Sequence, residues 1–92
     1  MIEYLYDTLR ATAGADIEIV TCITEDDTPV ENVGLMLHLD QDNAIVIKGE
    51  LVNGIYQFII PAEVTKDLQG RYWYCFCQGE QPLCFKEAIY FV

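Results

Sequence analysis

Two runs decide the fold, Ile55-Tyr-Gln-Phe-Ile-Ile-Pro61 and Gly70-Arg-Tyr-Trp-Tyr-Cys-Phe-Cys77, joined by the short stretch 62–69. In both, bulky apolar side chains recur every second residue: Tyr56, Phe58 and Ile60, then Tyr72, Tyr74 and Phe76. That period puts them on one face of an extended chain. A proline closes the first run and a glycine opens the second. This is the order expected where a chain leaves one sheet of a β-sandwich and enters the other.

The same period extends outward from these runs. Between Asp16 and Thr24, Ile17, Ile19, Thr21 and Ile23 share one face, while Glu18, Val20, Cys22 and Thr24 share the other. The segment is rich in β-branched residues and reads as a strand. Glu25-Asp-Asp-Thr-Pro29 is a turn by composition, Gly34 to Leu39 a strand, and Asp40-Gln-Asp-Asn43 its turn. Ala44 to Lys48 and Glu50 to Val52 form a strand interrupted at Gly49 by a bulge or bend. Asn53-Gly54 is a type I′ hairpin signal, because that turn needs positive φ at both central residues. Glu3 to Ala11 reads as a first, bent strand, and 62–68 as one helical turn. Arg71 to Cys77 and Cys84 to Val92 make a last hairpin. The expectation is a single all-β domain over 1–92, an immunoglobulin-like antiparallel sandwich of about seven strands.

Composition agrees with a packed domain. Half the chain is hydrophobic (52%), and eleven aromatic residues supply enough volume for a dense core at only 92 residues. No apolar run reaches the roughly 18 to 20 residues that span a bilayer. The stretch from Met1 to Asp7 lacks the basic start of a secretory signal, so the protein is expected to stay where it is made. The net charge of −10 argues against nucleic acid and against an anionic membrane surface. The acids serve to keep an edge-rich β domain soluble and apart from its copies.

Little here points to catalysis. The chain has no serine, which removes the Ser-His-Asp arrangement. A Cys-His nucleophile would need the single histidine, His38, beside a thiol in an electropositive setting, and the protein is strongly negative. Asp26-Asp27 and the Asp40/Asp42 pair lie in turns and lack the D-x-D-x-D-G calcium loop. No catalytic, cofactor or metal site is expected.

The cysteines can be placed by parity. With Tyr72, Tyr74 and Phe76 facing inward, Trp73, Cys75 and Cys77 face outward, and Cys22 faces outward from its own sheet. Thiols on opposite outer faces of a sandwich about 10 Å thick cannot meet, so no inter-sheet disulfide is expected. Free thiols then point to a reducing compartment. Cys77 and Cys84 flank the last hairpin, so a cross-strand disulfide there stays open. A metal site on Cys75, Cys77 and Cys84 is disfavoured, because the spacing lacks paired C-x2-C knuckles. Small apolar thiols are the simpler reading.

Asp67-Leu-Gln-Gly-Arg-Tyr-Trp-Tyr74 resembles the segment before the sixth strand of immunoglobulin-like domains, with Tyr72 in the place of the tyrosine-corner residue. In antibody domains a core cysteine follows two residues later. This chain has Tyr74. More widely, the order of Asp16-Ile-Glu-Ile-Val-Thr21, Glu25-Asp-Asp-Thr-Pro-Val30, Gly34-Leu-Met-Leu37, Asn53-Gly-Ile-Tyr-Gln-Phe-Ile-Ile-Pro61 and Leu68-Gln-Gly-Arg-Tyr-Trp-Tyr74 is similar to small immunoglobulin-like domains of tailed-phage structural proteins. The comparison is with the N-terminal domain of the phage baseplate upper protein family. The resemblance spans about 11–92 and implies a non-enzymatic module of a virion: baseplate, tail, neck or head decoration. It also implies copies of itself or other virion proteins as partners, and a location in the host cytoplasm during assembly. Alternatives are a stand-alone binding module for a host or phage protein, and a cellular adhesin or scaffold domain.

Contacts in such a module would fall on outward aromatics and open strand edges. Trp73 is the leading candidate, followed by Tyr4, Tyr6, Tyr90 and Phe91 on the two terminal strands.

Overall fold

The structure is a computed structural model that describes residues 9–84 and 86–92 in full and the backbone of 2–4. It is predominantly β. The strands in chain order are β1 Ile2–Tyr4, β2 Leu9–Ala11, β3 Ile17–Thr21, β4 Ile23–Glu25, β5 Thr28–Pro29 and β6 Val33–His38. They continue with β7 Ala44–Lys48, β8 Glu50–Val52, β9 Ile55–Ile60, β10 Gly70–Gln78, β11 Gln81–Pro82 and β12 Glu87–Phe91. One helical turn, α1 Ala62–Thr65, lies between β9 and β10, within the stretch where the sequence predicts it.

These segments form two packed layers. One layer is a sheet of order β2-β12-β10-β6-β7, with β11 on the end of β10. The other is made of β3-β9-β8 and a small sheet β1-β4-β5, linked because β3 runs almost directly into β4. All pairs are antiparallel except β2 on β12, which is parallel. Between the layers sit Leu35 and Leu37 of β6, Tyr74 and Phe76 of β10, and Ile89 and Phe91 of β12. They meet Ile23 of β4 and Tyr56, Phe58 and Ile60 of β9. Tyr56 stacks on Phe58 with ring centroids 5.6 Å apart, and Phe58 meets Phe76 across the layers at 5.3 Å. An aromatic ladder thus fills the space between the layers.

The segments are more numerous than the sequence predicts, for local reasons. At Gly49 the chain changes layer: β7 pairs with β6, whereas β8 pairs with β9. The interruption is therefore a corner between sheets, not a bulge within one strand. A Cβ at Gly49 would lie 2.5 Å from Phe58 Cε1 and 2.8 Å from Tyr56 Cδ1, so the backbone needs glycine to pass over the rings. The first predicted strand, Glu3 to Ala11, is also corrected. Its ends, β1 and β2, belong to different layers, which lets the chain start cover an edge in each.

The turns follow their chemistry. Asn53 and Gly54 have φ of 52° and 79°, as the hairpin between β8 and β9 requires. Asp26 and Asp27 also take positive φ, 51° and 63°, in the two-residue link between β4 and β5. Aspartate tolerates that region better than most residues. In the β6–β7 turn the Asp40 carboxylate accepts from the backbone N–H groups of Asp42 and Asn43, each at 2.8 Å, and from the Asn43 side chain. The Asn43 amide, then the Asp42 N–H, holds the Asp40 carboxyl below the usual carboxylate range.

The crossover is tied down by the chain just before β3, which lies beside β9. Asp16 Oδ1 accepts from the Ala62 N–H at 2.6 Å, capping α1 from a distant loop. The buried Thr65 hydroxyl donates to the Ala15 carbonyl at 2.8 Å and accepts from the Gly14 N–H at 3.1 Å. The passage between layers is thereby fixed against the turn that precedes β3.

Candidate functional site

The site is best built from β10, which lies at the centre of the larger layer with β12 on one side and β6 on the other. Its alternation sends Tyr74 and Phe76 inward and leaves Arg71, Trp73, Cys75 and Cys77 on the outer face. Trp73 is flanked by Ala88 of β12 and His38 of β6. The small alanine gives the indole no cover, and Trp73 stays 39% exposed. The Arg71 guanidinium lies 5.0 Å from the indole centroid, a cation–π contact that holds both groups in one orientation.

Around this pair lies a cleft of about 530 Å3 whose walls include His38, Gln69, Tyr72 and Lys86. Burial, and after it the nearby Lys86 ammonium, lowers the proton affinity of His38. Its ring is accordingly neutral at physiological pH, a hydrogen-bonding group and not a charge. Arg71 and Lys86 supply the positive charge, with Asp40 at the rim engaged in its own turn. The guanidinium, ammonium and indole groups together suit a carboxylate-bearing, partly apolar surface. Next to this cleft, Tyr90 stands half-buried between Arg71 and Arg10 in one cross-strand row.

The remaining predicted contact residues are placed as follows. Phe91 requires correction: it is 1% exposed, lies in the core, and meets Tyr72 edge to face at 5.8 Å. The strand bearing it is not an edge either, because β2 covers β12. Tyr4 lies on β1, an edge strand paired with β4, and its side chain is outside the described residues, as is Tyr6. Tyr72 is half-buried, and its hydroxyl accepts from the Gln69 N–H, three residues upstream, at 3.5 Å on an exposed side of the chain.

A different tyrosine makes the buried connection between layers. The Tyr56 phenol, on β9, donates to the Val30 carbonyl and accepts from the Val33 N–H at 3.4 Å, where the chain enters β6. Its apolar spacing read as plain core, so nothing in the sequence distinguished it from Phe58.

All four cysteines are free, with Cys22 exposed. Cys75 and Cys77 are on the outer face, yet both are 0% exposed. Cys77 is opposite Pro82 in β11 and Tyr74 is opposite Glu87 in β12, so the partner strand changes register beside Cys75. Burial, then the neighbouring Cys84 and Cys77 thiols, pushes Cys75 up to about 11. Cys77 donates weakly to the Gly34 carbonyl at 3.5 Å, and Cys84 Sγ accepts from the Phe76 N–H at 3.4 Å. Among the described residues no group of three His, Cys, Asp or Glu side chains is arranged to hold a metal ion. No helix among them is long and apolar enough to cross a membrane.

Arg71 could have been found from sequence, since it lies two residues before Trp73 and so shares its face. Lys86 shares that face by the same alternation, two residues before Ala88, which is opposite Trp73. Comparison of the chain with known proteins gave no match to a family model, a curated protein or a solved structure.

Proposed function

We propose that this chain is a non-enzymatic, immunoglobulin-like assembly module, a structural or accessory component of a phage or prophage virion that works through protein–protein contacts. The observation that carries the docking role is the Trp73–Arg71 pair: a fixed, exposed indole with cationic neighbours on a protein of net charge −10. Trp and Arg are the residue types that dominate interface energetics.

Strand order supports the immunoglobulin-like part of the reading. Labelled in the usual way, β4 and β3 stand for strand B, β9 for E and β8 for D, with β1 as A beside B. On the other layer, β6, β10 and β12 stand for C, F and G, and β7 for C′. Tyr72 then falls near the start of strand F, with its hydroxyl on upstream backbone. The virion part rests on the sequence motifs quoted above and on this module type.

Mass spectrometry of purified particles from the source phage or prophage tests the role directly. The protein is expected among the particle components. Its absence at a sensitivity that detects minor tail proteins would remove the virion assignment.

A further inference from the structure

The two outer faces of this molecule differ sharply in charge. On the larger layer, the outward positions include Arg10 of β2, Tyr90 of β12, Arg71 and Trp73 of β10, and Val46 and Lys48 of β7. No outward position in the paired strands of that layer is acidic. Lys86 joins it from the cleft wall. Four of the five Lys and Arg residues in the chain therefore gather on one side.

The outer face of β3-β9-β8 is the converse. Its outward positions are Glu18 and Val20 of β3, Ile55, Gln57 and Ile59 of β9, and Glu50 and Val52 of β8. Val20, Val52, Ile55 and Ile59 are each roughly half exposed. These paired positions include two carboxylates, four exposed apolar side chains and no base, with the Gln57 amide donating to the Glu18 carboxylate at 2.9 Å between Val20 and Ile59. Exposed apolar side chains grouped with polar ones mark contact surfaces.

Resting on the assembly reading above, we infer that the basic, Trp73-bearing face docks on the acidic, apolar β3-β9-β8 face of a second copy of this chain, so that copies join head to tail. Twofold pairing of either face with itself, in which residue i meets residue j and j meets i, would lay acids on an acidic face or bases on a basic one, with no opposite charge to pair. Like charges opposed at an interface disfavour it. Only the head-to-tail arrangement sets guanidinium against carboxylate and indole against the valines and isoleucines. The faces lie on opposite sides of one two-layer body, so such a contact leaves a free face at each end. It propagates into a ring or a filament and does not stop at a dimer. Net charge opposes approach from afar, but at ~0.15 M salt it is screened beyond about 8 Å while pairs in contact are not.

Sedimentation at physiological salt tests this with three preparations. The unaltered chain is expected to form species larger than a dimer as concentration rises. Arg71→Glu, with its basic face broken, and Glu18→Gln/Glu50→Gln, with its acidic face neutralised, are each expected to weaken association by about tenfold or more. Mixed, they retain one good face each and are expected to give a 1:1 complex that grows no further. Circular dichroism checks folding, and Arg10→Glu replaces Arg71→Glu should the latter not fold. A chain that stays monomeric up to its solubility limit, an Arg71→Glu variant that associates as the unaltered chain does, or a mixture without the 1:1 complex would each overturn the inference. A monomeric chain found in purified particles would sink the head-to-tail contact and leave the assembly role standing. Association without presence in particles would do the reverse.

Discussion

Tyr56 and Tyr72 are both phenols bonded to backbone, and their surroundings give them unequal weight. Tyr56 is buried and serves two polar groups, the Val30 carbonyl and the Val33 N–H. Removing its hydroxyl strands both away from water, at about 1–3 kcal/mol. The Tyr72 bond is long and solvent can replace it. Tyr56→Phe is therefore expected to lower urea stability clearly and Tyr72→Phe by well under 1 kcal/mol; equal losses would show that burial is not what separates them. At Gly49, an alanine methyl would collide with Phe58 and Tyr56, aromatic rings held in the core. Gly49→Ala is expected to cost about 1–3 kcal/mol by overpacking, seen as a lower melting temperature and altered near-ultraviolet dichroism. The thiols offer a third test. Cys22 is expected to react with an alkylating reagent in the native protein, and Cys75 and Cys77 only after unfolding. The Cys75 thiol binds its proton more tightly when folded, up to about 11 against 9.0. The folded state then holds more protons than the unfolded one, so this contribution is complete below pH 9 and is lost as pH climbs towards 11. Stability that rises over that interval would contradict the burial of Cys75.

Single elements explain which parts of the fold were legible. The alternation in β3, β9 and β10 was legible because the side chains that fill the core recur at every second residue, and period two records that directly. The Asn53-Gly54 hairpin was legible because its backbone demands those residues. Corners were harder to place. Gly49 signals a break, yet nothing in its neighbours says whether the chain bulges or changes layer, since that depends on which strand waits on the far side. The β11–β12 register shift is invisible for the same reason. The crossover shows how distant residues settle such a choice. α1 has only four residues and cannot hold itself; Asp16 and Thr65 hold it instead. Asp16→Ala is expected to cost about 1 kcal/mol. Thr65→Val keeps the shape but removes the hydroxyl from the Gly14 N–H and Ala15 carbonyl, at about 1–3 kcal/mol. Amide exchange should quicken for Gly14 and Ala62 to Lys66 before it quickens in β10. Uniform quickening across the sheet would mean that the crossover is not a separately stabilised unit.

Across the whole molecule, adjacent residues of one strand divide its two tasks. Tyr74 points between the layers, is almost wholly buried and meets Phe76 edge to face at 6.1 Å. Trp73, one residue earlier, points to solvent under Arg71. Truncating Tyr74 opens a ring-sized void where β10 faces the other layer, and Tyr74→Ala is expected to cost about 3–5 kcal/mol. That is a large share of the stability a domain of this size commands. Trp73→Ala removes a half-wet ring and one cation–π contact, with an expected loss of about 1 kcal/mol or less. Association should respond the other way round. Trp73→Ala removes the largest apolar group from the basic face, so concentration-dependent sedimentation should shift strongly while the unfolding midpoint barely moves. A small aromatic-rich domain can separate the tasks because one residue of offset along a strand is a change of side. Comparable unfolding losses for the two variants, with association unchanged, would mean that the outer face of β10 is structural and that the docking surface lies elsewhere.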